Sequence, residues 1–271
     1  MARILCISSY VARGHIGLGA AVPALHALGH EVVALPTVVL SNHPGHPAFI
    51  KQDIEPEFLT KSVDTYGKSG WLTGIDAVLS GYLPSADHVA AVAQIVSLVR
   101  RANSKSIYVC DPVLGDDPGG LYIPEPAAAA IRSVLVDLAN VLTPNRYELE
   151  WLTGHKVRSI KEAAVAAHSM ACPMTVVTSV PTGQADSVAN VLAGPSSGPH
   201  VVTARTLAQV PHGTGDLLAG LFVGHMLNGH TPAGALDHST AGVAATVAVS
   251  DGCDELDLTN SRAQWVDTNA T

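Results

Sequence analysis

Charge is scarce in this sequence, and positive charge is scarcer than negative charge. Charged residues make up 14% of the 271 residues, and 15 Lys and Arg against 23 Asp and Glu leave a formal net charge of −8. A protein that binds nucleic acids generally needs a basic face that displaces counterions from the phosphates. The sequence has no run of Lys or Arg that would form such a face, so we predict no nucleic-acid partner.

Paired cysteines and long apolar segments are also missing. The four cysteines, Cys6, Cys110, Cys172 and Cys253, are scattered without a CxxC pair. This pattern argues against a disulfide framework or a zinc site and is typical of reduced core residues. No stretch approaches the ~20 apolar residues of a membrane span, and ILCIS near the N-terminus is too short for the apolar region of a signal peptide. We therefore expect a cytoplasmic protein with no membrane association.

Short apolar runs rich in branched residues alternate with longer helical patterns along the first 180 residues. This alternation is typical of an α/β fold with a mostly parallel sheet covered by helices on both faces. Strands are predicted over 3–8, 31–37, 77–82, 106–112, 141–145 and 175–180. Helices are predicted over 18–28, 53–68, 85–102, 126–137, 145–154, 159–170, 215–229 and 233–250, with N-caps at Ser85 and Ser159.

Residues 181–209 differ from the rest of the chain because they are rich in Gly, Pro, Ser and other polar residues. This composition predicts short strands and a mobile loop. The spacing of the earlier elements leaves no room for a second core before residue 180. We therefore predict a single domain over 1–271.

The segment VPHGTGDLLAG, residues 210–220, combines two glycines, an acid and an apolar helical run. Asp216 alone has a plain explanation as an acid in the first turn of a buried helix. Gly213 and Gly215 on both sides of Thr214 favour a second interpretation, in which the free amides of the helix N-terminus bind an anion. The segment therefore predicts either a capped helix or a phosphate-binding loop with an aspartate beside it.

Two further segments place acids where predicted strands end. Asp111 and Asp116 lie in CDPVLGD, and Asn145 and Glu148 lie in TPNRYELE. Each segment alone has a plain explanation as a turn or a helix cap. Together with GTGD they supply hard oxygen ligands for Mg²⁺ and an anion site, which is what phosphoryl transfer requires.

These motifs resemble those of the ribokinase-like superfamily, and from residue 3 to about residue 250 the chain resembles the bacterial type of pyridoxal/pyridoxine/pyridoxamine kinase. The resemblance rests on SSYVARGHIGLGAAVPALHALG, PTVVLSNH, AVLSGYL, VCDPVLGD, LTPNRYELEWLTG, VVTS and HGTGDLLAG, in the family's order and spacing. SNH and LSGY carry most weight because they separate pyridoxal kinases from sugar kinases. The resemblance implies a three-layer α/β/α sandwich with a central mostly parallel sheet.

The activity implied by the resemblance is ATP-dependent phosphorylation of the 5′-hydroxymethyl group of pyridoxal, and of pyridoxine and pyridoxamine, in vitamin B6 salvage. Asp216 is then the general base, and the amides of Gly213, Thr214 and Gly215 stabilise the transferred phosphoryl group. The implied vitamin-binding residues are Ser9, Ile16, His43, Pro44, Tyr82 and Asp216.

The resemblance also implies ATP as co-substrate, Mg²⁺, a monovalent cation and a homodimer. The implied ATP-binding residues are Asp111, Tyr122, Asn145, Glu148, Thr178, Ser179, Gly213 and Thr214. The implied metal-binding residues are Asp116, Glu148 and, for the monovalent cation, Thr143.

The chain departs from the family's pattern at several positions. Pro44, followed by Gly45, stands where the family usually has a threonine that contacts the substrate. Tyr10 follows Ser9 where a histidine is usual, and Ser179 stands where some bacterial members have a lysine. The segment between Thr178 and Gly213 is shorter than usual, which predicts a reduced flap over the nucleotide.

Two alternatives remain open at this point. One is a hydroxymethylpyrimidine kinase, a related enzyme with similar chemistry. The other is a protein that binds pyridoxal or pyridoxal 5′-phosphate with little turnover. Pro44 and the short flap are the observations that favour it.

Overall fold

The computed structural model of the chain describes residues 1–194, 197–207 and 209–266. Within this part, nine strands form one sheet in the order β11-β10-β9-β8-β5-β4-β1-β2-β3, and two short strands, β6 and β7, form a separate hairpin. In chain order the strands are β1 Arg3–Arg13, β2 Glu31–Asn42, β3 Lys51–Asp53, β4 Ala77–Ser80, β5 Ile107–Cys110, β6 Gly115–Asp116, β7 Gly120–Leu121, β8 Val141–Leu142, β9 Met174–Pro181, β10 Ser187–Gly194 and β11 Ser197–Arg205.

The centre of the sheet is parallel, as predicted. Strands β2, β1, β4, β5, β8 and β9 pair in parallel with their neighbours, whereas β3, β10 and β11 add antiparallel pairs at the two edges. The helices are α1 Leu18–Ala27, α2 Pro56–Lys68, α3 Ala86–Ala102, α4 Glu125–Ala130, α5 Val136–Leu138, α6 Arg146–Thr153, α7 Ile160–His168, α8 Thr214–Leu227, α9 Pro232–Val249 and α10 Leu258–Ser261.

Helices cover both faces of the sheet. The side chains of β1 show why, because they point alternately into two cores. Leu5 and Ile7 point into a core shared with α2 and α3, whereas Ile4 and Cys6 point into a second core shared with α1 and α8. Successive side chains of a strand point to opposite faces, so an unbroken apolar run such as this one must be buried on both sides. The result is the expected three-layer α/β/α sandwich.

Several boundaries differ from the predicted ones. Strand β1 continues to Arg13, five residues beyond the predicted end, because its second half pairs with β2 past an irregularity at Ser8 and Tyr10. Strand β8 ends at Leu142 rather than residue 145, since Pro144 has no N–H for the ladder. The helix predicted over 126–137 consists of α4, a π-helical turn over Ile131–Leu135 and α5. Ser85 and Ser159 cap α3 and α7 as predicted.

Residues 181–209 form more regular structure than predicted. Strands β10 and β11 pair over most of their length and extend the central sheet. Residues 195, 196 and 208 lie outside the described part, so the predicted mobile loop is described only in part. Among the described helices, none is long and apolar enough to cross a membrane.

Helices α1 and α8 pack at very short range, and this contact positions the two loops that precede them. A Cβ at Gly220 would lie 2.9 Å from the backbone Cα of Ala21, so only glycine allows this approach. The start of α8 carries Asp216, and the loop before α1 carries Gly17. The packing of the two helices therefore fixes one loop relative to the other.

We predict that Gly220→Ala destabilises the protein by about 1–3 kcal/mol, because the added methyl group has no space at the α1–α8 contact. Gly67→Ala is the matched control, since its Cβ would make only an ordinary contact with Leu72, and alanine is favoured over glycine within a helix. Chemical denaturation of both variants measures the difference. Equal stability of the two variants would contradict this account of the contact.

Candidate active site

Several predicted site residues, among them Asp111, Thr143 and Asn145, follow the carboxyl ends of parallel strands. A small pocket there is lined by residues that include Ser8, Gly17, Gly81, Asp111 and Asp216. These residues come from the middle of β1, the loop before α1, and the segments after β4 and β5, together with the start of α8. Ligands of open α/β sheets bind at this edge.

Helix α8 begins with the GTGD segment. Gly213 is the N-cap, with φ 103°, and the first helical hydrogen bond runs from Leu217 N–H to the Gly213 carbonyl. The amides of residues 214–216 therefore precede the hydrogen-bond ladder and lie at the positive end of the helix dipole.

Packing explains the glycine at position 213 of GTGD but not the glycine at position 215. A side chain at Gly213 would collide with the carbonyl oxygen of His15, so part of its role is structural. A Cβ at Gly215 would have no protein atom within 4 Å, and packing therefore does not require glycine there. Gly215 leaves open space above the helix N-terminus, where a phosphate can approach the backbone.

Asp216 lies in the first turn of α8 with its carboxylate directed toward the loop before α1. The carboxylate accepts hydrogen bonds from the backbone N–H groups of Gly17 and of Asp216 itself, and both bonds lower its pKa. Burial outweighs them and raises the pKa of Asp216 to about 6. An acid with this pKa is largely ionised at neutral pH and still able to take up a proton.

Two more acids share this region. Burial raises the pKa of Glu148 to about 7 despite three backbone N–H donors, and repulsion from Asp216 adds to the shift. Asp111 has a pKa well above its usual range, first because of burial and then because of repulsion from Glu148 and Asp216. Three carboxyl groups from separate elements therefore compete for ionisation in one region of low dielectric constant.

Asn145 and Glu148 hold helix α6 against the β6 strand. The Asn145 side chain accepts from the Glu148 N–H at 2.9 Å, while Glu148 Oε2 accepts from the Asn145 N–H at 2.8 Å, forming a capping box. Glu148 Oε1 accepts from the Leu114 N–H at 2.8 Å, and Asn145 Nδ2 donates to the Gly115 carbonyl at 2.8 Å. The plain explanation of TPNRYELE as cap chemistry is therefore also correct.

Asp116 lies in β6, and Tyr122 directly follows β7, so both belong to the hairpin that these two short strands form. Burial and the neighbouring Asp116 carboxylate raise the pKa of the Tyr122 phenol, and Tyr122 is half exposed. Both side chains therefore line an accessible surface beside the acids.

Backbone strain is concentrated in the same region. Val113 has φ 45° and Ser179 has φ 59°, and among the described residues they alone combine a positive φ with a side chain. A β-branched residue in this conformation is a marked outlier, and such residues cluster at functional sites. Thr178, beside Ser179, donates its N–H to the Pro144 carbonyl at 2.9 Å, which joins β9 to the start of α6.

Thr143 has a buried hydroxyl group that could bind a cation. Its buried hydroxyl has no hydrogen-bond partner within normal length in the described part of the chain, although it lies near enough to Asp111 to lower the pKa of that acid. The surrounding acids and this unused oxygen suit a hard cation. Among the described residues, no three His, Cys, Asp or Glu side chains are placed to hold a metal ion by themselves, so water and phosphate oxygens must complete any Mg²⁺ shell.

Of the residues predicted to bind the vitamin, only Asp216 lines this pocket, and the others lie in the neighbouring segments. Ser9 is buried, and its hydroxyl and carbonyl lie so close to Gly17 that a side chain there would collide with them. Ile16 and Tyr82 pack against one small apolar cluster that includes Val11.

His43 lies in the loop after β2 and stacks on His212, with 4.0 Å between ring centroids. Burial and the neighbouring His212 lower the pKa of His43 to about 4, so its ring is neutral at pH 7. Pro44 is exposed in the same loop.

Three residues beside this site were not predicted from the sequence. Gly17, whose amide binds Asp216, lies in GHIGLGA, where the glycines before a helix were the available signal. His212 and Glu255 contact the loop that follows β2, and neither carries a local sequence signal for that role.

Comparison with known proteins gives a consistent result. A family model described as phosphomethylpyrimidine kinase matches residues 14–259. A pyridoxal kinase of Corynebacterium diphtheriae is 33% identical over 260 residues, which cover 94% of this chain and 92% of that protein. A pyridoxal kinase of Deinococcus radiodurans is 35% identical over 274 residues, covering 97% and 92%. The structure of Leishmania donovani pyridoxal kinase in complex with ADP and pyridoxamine has a TM-score of 0.89 and 26% identity, covering 98% of this chain and 96% of that one.

We predict that Asp216→Asn stabilises the ligand-free protein at pH 8 by about 1–3 kcal/mol, or a few degrees in Tm. The pKa of Asp216 in the folded protein, about 6, lies above its ordinary value of 3.8. The ionised carboxylate therefore opposes folding above pH 6, and this effect disappears as the pH falls toward 4.

Thermal denaturation at pH 8 and pH 4 measures the effect, with Asp251→Asn as an exposed control. Destabilisation by Asp216→Asn at pH 8 would show instead that the carboxylate acts mainly as a helix cap.

Proposed function

The chain belongs to the family of phosphomethylpyrimidine and pyridoxal kinases, and we propose that it transfers the γ-phosphoryl group of ATP to the 5′-hydroxymethyl group of pyridoxal. The observation that carries this proposal is the position of Asp216. Its carboxylate, with a pKa of about 6, lies beside the open helix N-terminus of GTGD and opens onto the pocket that Ser8 and Gly17 line. A base and an anion site therefore share one small space.

The reaction needs one proton transfer and one displacement. Asp216 takes the proton of the vitamin's hydroxyl group, whose oxygen forms a bond to the γ-phosphorus while the bond to the bridging oxygen breaks and ADP leaves with that electron pair. The amides of Gly213, Thr214 and Gly215 donate to the phosphoryl oxygens as charge develops on them. Catalysis then consists of positioning and electrostatic stabilisation, without a covalent intermediate.

We propose that the ATP site is formed around the buried acids Asp111 and Glu148 and the segments beside them. We propose that Asp111, Asn145, Glu148, Thr178 and Ser179 position the phosphates, with Tyr122 beside the nucleotide. The ADP complex of the Leishmania donovani enzyme supports ATP as the phosphoryl donor. The strained backbone at Ser179 supports a functional role for this turn.

We propose that Mg²⁺ is held through Asp116 and Glu148 together with phosphate oxygens and water, and a monovalent cation near Thr143. When bound, these cations neutralise the phosphates and the buried carboxylates. The raised pKa values of Asp111 and Glu148 and the unpartnered Thr143 hydroxyl support this assignment.

We propose that Ser9 contacts the polar edge of the vitamin ring, that Ile16 and Tyr82 contact its faces, and that His43 and Pro44 form the neighbouring loop. The Leishmania donovani complex with pyridoxamine supports a B6 vitamer as the acceptor.

We further propose that the chain functions as one domain, in the cytoplasm, and as a homodimer. The continuous sheet from β1 to β11 supports one domain, and three buried free cysteines fit a reducing compartment. Several exposed large apolar side chains lie on or next to the edge strand β3 and α2, which supports an interface on that side. Phe49 and Ile50 precede β3, Phe58 lies on α2 and Trp71 follows it.

We predict that the purified protein, with ATP and Mg²⁺, forms pyridoxal 5′-phosphate, and that Asp216→Asn lowers kcat by about 10²–10⁴-fold, the usual effect of a general base. The KM for ATP should change little, because Asn keeps the shape of the side chain. Asp251→Asn, an exposed acid after α9, should behave as wild type. Full activity of Asp216→Asn would exclude Asp216 as the base.

A second candidate acceptor is a hydroxymethylpyrimidine, because the matching family model is described as a phosphomethylpyrimidine kinase. We predict at least about tenfold higher kcat/KM for pyridoxal than for 4-amino-5-hydroxymethyl-2-methylpyrimidine in a competition assay, since the relatives matched over nearly the whole chain are pyridoxal kinases. The reverse preference would favour the pyrimidine. Tight pyridoxal binding without ADP formation would favour a binding protein.

A further inference from the structure

The loop after β2 is held at two points by residues distant in sequence. The ring of His43 stacks on that of His212 with 4.0 Å between centroids and 20° between planes, and His212 directly precedes the Gly213 N-cap. The second point is His46, whose Nε2 lies 3.1 Å from Glu255 Oε1. His212 lies just before α8 and Glu255 follows α9, so both contacts join the loop to the C-terminal part of the chain.

Glu255 is well placed for this contact. Its side chain is only 16% exposed and also lies 3.5 Å from Arg13 Nη1, at the end of β1. A Cβ at Gly14 would lie 2.6 Å from Glu255 Oε2, so glycine there allows the carboxylate to reach both Arg13 and His46. One carboxylate thus joins the end of β1 to the loop after β2.

The loop itself is shaped by internal hydrogen bonds. The Asn42 side chain donates to the Ala48 carbonyl at 2.9 Å, and the Gly45 N–H donates to His43 Nδ1 at 3.0 Å. The latter bond leaves the proton of the neutral His43 ring on Nε2. Pro44 and Gly45 are exposed, so His43 and His46 make the side-chain contacts that fix residues 43–46 to the rest of the site.

We propose that His212 and Glu255 are positioning residues that hold loop 43–46 in place beside the proposed vitamin site. This inference rests on the proposed function, because it treats the loop as a wall of the vitamin pocket. A loop held in its binding conformation lowers the entropy cost of binding. The expected effect is therefore on the KM for the vitamin rather than on kcat.

The test compares Glu255→Ala, His46→Ala and their double variant with Glu125→Ala, an exposed acid on α4. We expect the KM for pyridoxal to rise about three- to tenfold in each of the first three, with kcat and the KM for ATP within about twofold of wild type. Because His46 acts through its contact with Glu255, the double variant should match Glu255→Ala. Additive effects, or equal losses in kcat, would overturn the proposal.

The His212 variants test whether the flat ring of this residue, rather than its charge, holds the loop. His212→Ala should raise the KM for pyridoxal to a similar extent, and His212→Phe, which keeps a flat ring for the stack, should restore it. His168→Ala, an exposed histidine on α7, should have no effect. Failure of phenylalanine to restore the KM would overturn the role of the stack.

Hydrogen exchange separates this proposal from the proposed function. Amides of a peptide over 41–50 should exchange faster in Glu255→Ala and His212→Ala than in wild type, whether or not the protein turns over pyridoxal. An inactive wild-type protein with this exchange pattern would contradict the proposed function and leave the loop contacts supported. Unchanged exchange in both variants would overturn the loop contacts themselves.

Discussion

The buried negative charge of Asp111, Glu148 and Asp216 is the constraint on which the rest of the site depends. Three carboxyl groups in one region of low dielectric constant cannot all ionise without opposite charge nearby. The protein provides backbone N–H groups to Glu148 and Asp216, but burial still raises the pKa of all three. Such a cluster is unfavourable for the folded chain alone, and the cations proposed to bind beside it would offset its charge.

The fold holds these acids through elements whose own structure requires the same residues. Glu148 completes the capping box of α6 and also accepts from the hairpin amide of Leu114. Gly213 provides both the left-handed turn before α8 and the close approach to the loop before α1. A structural role and a functional role are therefore not alternatives for these residues. The position of the Glu148 carboxylate is fixed by the helix start that it caps, whereas the Asp216 carboxylate is held by the Gly17 amide.

Much of this arrangement was predictable because it depends on local signals. The apolar runs of β1, β4 and β5, the serine caps of α3 and α7 and the glycines of GTGD each act within a few residues. The second half of β1 was missed because polar residues interrupt its apolar run, and only pairing with β2 makes it a strand. The contact between His46 and Glu255 spans 209 residues, and no local pattern encodes a contact that only the folded sheet brings together. The electrostatic coupling of the acids likewise depends on distances that the sequence does not contain.

The most direct test of the account is to measure ADP and pyridoxal 5′-phosphate in the same reaction mixture of purified protein, ATP, Mg²⁺ and pyridoxal. If the cluster is a phosphotransferase site, the two products form in equal amounts and neither forms when Mg²⁺ is removed by chelation. ADP formed without the vitamin phosphate, or no consumption of ATP at all, would contradict the account.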